Sequence, residues 1–408
     1  MTTRPSLCML PWTGFSNNPT GQAQPCCIFK DVIKDEDGKP MYVQEYSVRD
    51  IFTSKYMQDL RTQFRNGEKP IACSTCWEDE DNGFRSKRLI HLESMSDYVD
   101  VDVDSHVSYP VEYQMIINNS CNLKCRSCTP SHSTLWQAEH KALNKPEYVM
   151  PHKQAGDKLG KLWTDRADWY KDLRRLEVVG GEPMYIKQWH YIFQELIDAD
   201  LAKNIVVDMS TNCTLFYSYL MNNIIPKFKR IGVGLSVDGI GKTYEYMRYP
   251  GVWETTYGNM KKYHELMEQH NTKHCALTVQ VSFTLSWPNA LDLPRMHELV
   301  KTEFPNFKIW NNIVHSPDWL SIKAAPEELK ELIIANWAKY DWGIYQEDIN
   351  GIIAFMLSSK TDPNRFIRDY ANNDNIDDHR NQTLFDAVPE YADILNKYHV
   401  IKIKQVNE

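Results

Sequence analysis

The sequence predicts an α/β protein built on a parallel sheet. Three observations carry that prediction: six short apolar runs, longer helical patterns between them, and a chain of 408 residues, long enough for a sizeable core. The strand candidates are residues 113–117, 176–179, 205–209, 231–236, 278–285 and 307–314. Helical segments between them include 186–201, 215–228, 255–268 and 293–302. Strands joined by crossover helices pair in parallel. Periodicity leaves open whether the six units make a doubly wound sheet or an incomplete barrel.

Two regions flank this pattern. Residues 1–100 read as a small, turn-rich unit with a strand over 41–48 and a short amphipathic helix. That helix has Ser54 as its cap, Tyr56, Met57, Leu60 and Phe64 on one face, and Gly67 just past its end. Acidic stretches at 78–81 and 96–104 lead into the α/β region, so the expected division is 1–100, 108–316 and 317–408. The last part is mainly helical to about Tyr398, with Ile401 and Ile403 in a final edge strand. No internal repeat or low-complexity tract is present.

Composition is that of an ordinary globular protein, with 42% apolar and 25% charged residues. Forty-six basic against 54 acidic side chains give a charge of −8, which argues against a nucleic-acid-coating surface. The cluster Lys227, Lys229, Arg230 reads as a solvated helix end. Residues 1–15 lack the apolar core of a signal peptide, and no run approaches the roughly 20 apolar residues that cross a bilayer. A cytoplasmic protein is expected. Ten cysteines in a reducing compartment then point to metal or catalysis before disulfides.

Three of them, Cys121, Cys125 and Cys128, follow directly after the first strand of the α/β region. Thiolates are soft ligands that suit iron–sulfur clusters and zinc. Spacings of four and three let one loop aim three sulfurs at one centre. A cubane cluster has four irons, so three cysteines leave one iron open to a small molecule, whereas a closed structural site wants four ligands. Chance alone places two cysteines at these offsets in roughly 1% of such chains. The C-terminal end of a parallel strand is also where α/β sites form.

This loop resembles that of the radical S-adenosylmethionine (SAM) superfamily. The resemblance implies a partial (β/α)6 barrel whose trio holds a [4Fe–4S] cluster, with SAM chelated by the free iron. One electron cleaves SAM to a 5′-deoxyadenosyl radical that abstracts hydrogen from a substrate. Gly180-Gly181-Glu182-Pro183, ending the second strand, looks like the GGEP motif that receives the SAM ammonium. Ser210-Thr211-Asn212 ends the third strand like the Thr-Asn segment of relatives. Ser236-Val237-Asp238-Gly239 ends the fourth, followed by Tyr244 and Arg248. Ser236 is the candidate for SAM ribose or carboxylate contact, with Asn212 and Arg248 as further cofactor-binding residues. One position departs from the pattern: the residue before the third cysteine, commonly aromatic, is Ser127.

Cys8, then Gly21-x4-Cys26, then Cys73-x2-Cys76 resemble the twitch module, a relative of the SPASM domain. The resemblance implies that Cys8, Cys26, Cys73 and Cys76 hold a second, auxiliary [4Fe–4S] cluster, with zinc as the alternative. The module precedes the SAM domain here, whereas it normally follows. Cys27 beside Cys26 is an alternative ligand. Trp77, Glu80, Gly83, Ser86 and Arg88 look like a pattern in phage and bacterial twitch-type proteins, and are expected at the domain junction or the substrate mouth. Cys213 and Cys275 read as core thiols.

The function implied is a radical SAM enzyme acting on a peptide or small molecule, with flavodoxin or ferredoxin as electron donor and the C-terminal helices closing the barrel's open side. The alternative is a non-catalytic zinc- or iron–sulfur-binding protein or electron carrier.

Overall fold

The computed structural model describes residues 6–81, 83, 85–95, 103, 106–143, 160–270, 276–315 and 317–398. Cys275, Ile401, Ile403 and most of the acidic stretch 96–104 lie outside the described residues.

Among the described residues, eight strands form one sheet: β1 (Gly14–Asn17), β2 (Ala23–Gln24), β3 (Glu112–Ile116), β4 (Arg175–Val179), β5 (Val206–Thr211), β6 (Arg230–Ser236), β7 (Ala276–Leu285) and β8 (Lys308–Ile313). Their order is β2-β1-β3-β4-β5-β6-β7-β8, and every pair except β1–β2 is parallel. From β3 onward, neighbours in sequence are neighbours in space. A doubly wound sheet reverses its order within the parallel strands; here the reversal, β2-β1-β3, is made by the antiparallel β1–β2 pair, and the parallel run from β3 to β8 has none. The N-terminal residues are not a separate layer: β1 pairs with β3, Gly14 opposite Glu112 and Ser16 opposite Gln114.

The two faces of the sheet differ as a period of two requires. Met115, Val178, Met209, Val233 and Val279 sit side by side across five strands, all buried. They belong to one hydrophobic core with Trp189 and Phe193 of the Gln188–Asp198 helix, Tyr263 of the Trp253–His270 helix and Leu293 of the Asp292–Glu303 helix. The adjacent row is polar: Ser16, Gln114, Glu177, Asp208, Gly232 and Thr278 are register partners across six strands.

Two predicted elements differ. Residues 41–48 form no strand, only a bridge between Gln22 and Tyr42. The backbone turns back at Tyr42, which accepts from the N–H groups of Glu45 and Tyr46. Ser47 then caps a new helix, Val48–Phe52, by accepting from the Asp50 N–H. The helix expected over 215–228 is a wide turn, Leu220–Ile224, followed by a tight one, Ile225–Lys227. Pro226 supplies no N–H, and its ring crowds the preceding turn. The Ser54-capped helix forms as Lys55–Arg65, with Met57, Leu60 and Phe64 buried. The C-terminal region is helical, including Glu327–Trp337, Gln346–Leu357 and Pro363–Arg380.

Candidate functional site

The ends of four consecutive parallel strands meet at the three-cysteine loop. The loop leaves β3 at Ile116 and reaches Cys121 within five residues, so its sulfurs stay at the C-terminal edge of the sheet. Its outer flank is zipped to the segment after β6. Lys124 N–H donates to Tyr249 O (2.8 Å), and Arg126 N–H donates to Met247 O (2.9 Å). The Trp136 indole N–H donates to Cys125 O (2.6 Å) from behind. Cys125 is buried, while Cys121 and Cys128 are partly exposed.

Burial pushes the Cys121 thiol up to about 12, and the neighbouring Cys125 adds to the shift. Cys128 is pushed up to about 12 by burial and by the other two sulfurs. These are thiols whose anions need a positive partner. Arg248 supplies one: its Nη1 is 3.7 Å from Cys125 Sγ, and its charge opposes the effect of burial on that thiol. Arg248 is in turn fixed by Asp238, with Nε 2.6 Å from Oδ2. Asp238 Oδ1 accepts from the Thr284 N–H (2.8 Å), which ties the pair to β7.

Gly181 is where β4 touches the loop. A Cβ there would lie 2.1 Å from Ser120 O, so only glycine allows the approach. The next residue confirms the contact, with Glu182 N–H donating to Ser120 O (2.8 Å). The Glu182 side chain is fully buried and accepts from Met184 N–H (2.9 Å), Thr211 Oγ1 (2.7 Å) and Asn212 N–H (2.6 Å). It therefore clamps β4 to β5, with three of its roughly four lone-pair sites taken. Asn212 Nδ2 donates to Asn122 Oδ1 (2.9 Å) and lies 3.9 Å from Cys121 Sγ. Asn122 Nδ2 donates to Thr214 Oγ1 (2.8 Å), so the loop is also held to the end of β5.

Of the residues predicted from sequence, Cys121, Cys125, Cys128, Gly180, Gly181, Glu182, Pro183, Asn212 and Arg248 thus converge on one loop. Ser236 sits at the end of β6 opposite Ser282, half-buried. Asp238, Trp136, Lys124 and Arg126 had no role assigned from sequence. The only signal for the last two was charge at non-cysteine positions inside the motif. Cys213 is fully buried, as expected of a core thiol.

The second group of cysteines is also brought together. Cys8, Cys26, Cys73 and Cys76 line one small pocket with Phe29, Phe64, Trp77 and Arg88. Burial raises all four thiols, Cys26 and Cys73 to about 12; neighbouring sulfurs add to it at Cys8, Cys26 and Cys73, and the carboxylates of Asp79 and Glu80 add to it at Cys76. Gly21 has φ +87°, and a Cβ there would lie 2.1 Å from the Gln44 amide, so the turn leading to Cys26 requires glycine. Cys27 faces away from this cavity, its sulfur accepting from Lys87 Nζ (3.3 Å). Arg88 stacks on Trp77 (4.9 Å), donates to Leu7 O (2.9 Å) and is held by Glu80 (2.6 Å). Trp77 and Arg88 therefore wall the cysteine pocket, a place the sequence did not indicate.

No group of three or more His, Cys, Asp or Glu among the described residues is gathered tightly enough for one metal ion. A cubane carries its irons at separate corners, so its thiolates ring a volume and do not converge on a point. Cys8, Cys26, Cys73 and Cys76 all line the same pocket.

Residues 8–77 match the model of the SPASM domain, described as an iron–sulfur cluster-binding domain. No curated protein matches the chain. Solved structures similar to it include native anSMEcpe with bound AdoMet, at 16% identity and TM-score 0.37 over 60% of this chain and 61% of that one. Another is Streptococcus suis SuiB bound to S-adenosylmethionine, at 14% identity and TM-score 0.30 over 69% and 61%. The chain spans about three-fifths of the length of each of these two.

Proposed function

We propose that this chain is a radical SAM enzyme with two iron–sulfur clusters. The observation that carries the reading is the convergence of β3, β4, β5 and β6 ends on a loop with three thiols and an arginine at 3.7 Å from the middle one. Cys121, Cys125 and Cys128 would hold the catalytic [4Fe–4S] cluster. When bound, the cluster and SAM supply one-electron cleavage and a radical that takes hydrogen from substrate.

The chain's own residues would orient and shield that chemistry. Gly181 brings β4 against the loop, while Glu182 and Asn212 hold its β5 side. Glu182 would receive the SAM ammonium. Ser236 and Gly180 to Pro183 would complete the cofactor's surroundings. Ser127 offers no ring for adenine.

The N-terminal cysteines Cys8, Cys26, Cys73 and Cys76 would hold the auxiliary cluster. The match of residues 8–77 to an iron–sulfur domain favours this over zinc. Cys26 is the ligand of the adjacent pair, because it lines the cavity and Cys27 does not.

The sheet is read as an open barrel. Sequential strand order supports this, as does a polar face opposite the helix-covered one. The polar row from Ser16 to Thr278 suits a polar substrate, peptide or small molecule, and an electron donor such as flavodoxin or ferredoxin is required. Among the described residues, no helix is long and apolar enough to cross a membrane.

Anaerobic reconstitution with iron and sulfide tests this. Brown protein with about eight irons per chain and absorbance near 400 nm is expected. Reduction with dithionite in the presence of SAM should give 5′-deoxyadenosine, and Cys125→Ala should not. A variant that cleaves SAM as well as the parent, or a colourless protein with about two zincs, overturns the reading.

A further inference from the structure

The C-terminal Pro363–Arg380 helix ends on the three-cysteine loop. Its last turn carries Asp377 and Arg380, both buried. Arg380 binds Glu139 through Nε (3.1 Å) and Nη2 (2.6 Å), and Nη2 also donates to Lys124 O (2.9 Å). Lys124 Nζ reaches the same Glu139 at 2.6 Å. Asp377 Oδ1 lies 2.5 Å from Arg126 Nη2, and Asp377 Oδ2 accepts from Tyr246 OH (3.1 Å). The Arg380 guanidinium also lies over Trp136 (4.7 Å) and Tyr249 (5.0 Å), two of the residues that bond to the loop backbone around Cys125.

The residues held this way, Lys124 and Arg126, are the immediate neighbours of Cys125. One helix, more than 240 residues away in sequence, therefore grips the loop on both sides of its central thiol. Buried ion pairs contribute little net stability over apolar contacts of the same shape, because both charges lose their water. They do fix geometry, and a two-pronged guanidinium fixes it in direction as well as distance.

We propose that Arg380 and Asp377 are positioning residues for the Cys125 thiolate, so that the C-terminal helix is part of the cofactor site and not only a cover for the sheet. This rests on the function proposed above. The helix sets the loop's shape through Lys124 and Arg126, and loss of either contact loosens the three-cysteine site while leaving the four-cysteine site intact.

The test uses the full chain with Arg380→Gln, Arg380→Lys, Asp377→Asn and the pair Arg126→Gln/Asp377→Asn. In each apoprotein, amide exchange over residues 121–128 should rise about tenfold, while exchange in the β5–β7 core stays at the parent level. After reconstitution, each variant should keep the iron of the N-terminal site and lose more than half of that at the trio. The electron paramagnetic spectrum of the reduced trio with SAM should shift. Arg380→Lys should restore little, because one ammonium cannot replace the fork. Unchanged exchange and iron in Arg380→Gln and Asp377→Asn overturn the inference. Loss of both irons together, with exchange rising everywhere, also overturns it, since the helix would then be a general prop. A parent protein without iron at the trio sinks the functional reading instead, and the apoprotein exchange still decides this one.

Discussion

Arg248 and Asp238 form a buried ion pair, Nε to Oδ2 at 2.6 Å, with the free side of the guanidinium facing Cys125. The pair joins the segment after β6 to the cysteine loop, and each partner is almost wholly removed from water. Its arrangement makes the two charges unequal in consequence. Asp238 compensates Arg248, whereas Arg248 serves both Asp238 and the thiol.

Removing one partner leaves a buried charge without compensation. Asp238→Asn is expected to cost about 3–5 kcal/mol of folding free energy, and the double variant Asp238→Leu/Arg248→Met less than that. Denaturant unfolding of the apoproteins checks both. A double variant less stable than Asp238→Asn would show that packing, and not uncompensated charge, governs this site.

Gly181→Ala places a methyl 2.1 Å from Ser120 O, a backbone atom that cannot swing aside. The expected loss is about 1–3 kcal/mol, with displacement of Cys121 and reduced iron at the trio. Thermal melting and iron analysis of Gly181→Ala against Gly38→Ala make the comparison, because a Cβ at Gly38 meets nothing within 4 Å. Both glycines have no side chain to lose, but Gly38 has φ +77°, so its cost is conformational only.

The six strands from β3 to β8 were legible because each is an apolar run bounded by turn residues, and all six lie within two residues of their expected ends. β1 and β2 were not, since four and two residues carry too little pattern. Residues 41–48 misled because Met41 and Val43 alternate as in a strand, while Ser47 acts as a helix cap. The cysteines and the glycine-rich strand end were legible from spacing. Asp377 and Arg380 were invisible. Charges that meet over a separation of 241 residues, as Arg380 and Glu139 do, leave no local pattern, and inside their own helix they read as a solvated face.

Glu182 makes a pH prediction whose sign follows from its burial. Loss of water raises its carboxyl above the ordinary 4.5, although Asn212, Met184 and Thr211 all donate to it and pull the other way. A folded state that holds the proton more tightly than the unfolded chain is favoured at low pH. The group's contribution is therefore fully present below about pH 4.5 and lost as pH rises through the folded value. The stability of the parent relative to Glu182→Gln should fall from pH 4.5 toward neutrality. Urea unfolding across that range measures it. A difference that grows with pH would mean that the three donors outweigh burial.

The adjacent cysteines separate cleanly by variant. Cys26 lines the cavity shared with Cys8, Cys73 and Cys76, and its thiol is pushed up to about 12 by burial and by Cys27. Cys27 is exposed and bonded to Lys87. In a Cys125→Ala background, where only the N-terminal site can carry a cluster, Cys26→Ser should abolish the absorbance near 400 nm and its roughly four irons. Cys27→Ser should retain both, since it removes only the Lys87 contact, and Lys87 keeps Glu177 at 3.7 Å. Retention of iron by Cys26→Ser, with loss in Cys27→Ser, would require the turn after Gly21 to shift by one residue on cluster uptake. Gly21 and Gln44 are packed against that shift, and Gln44 Nε2 donates to Thr20 O (3.5 Å).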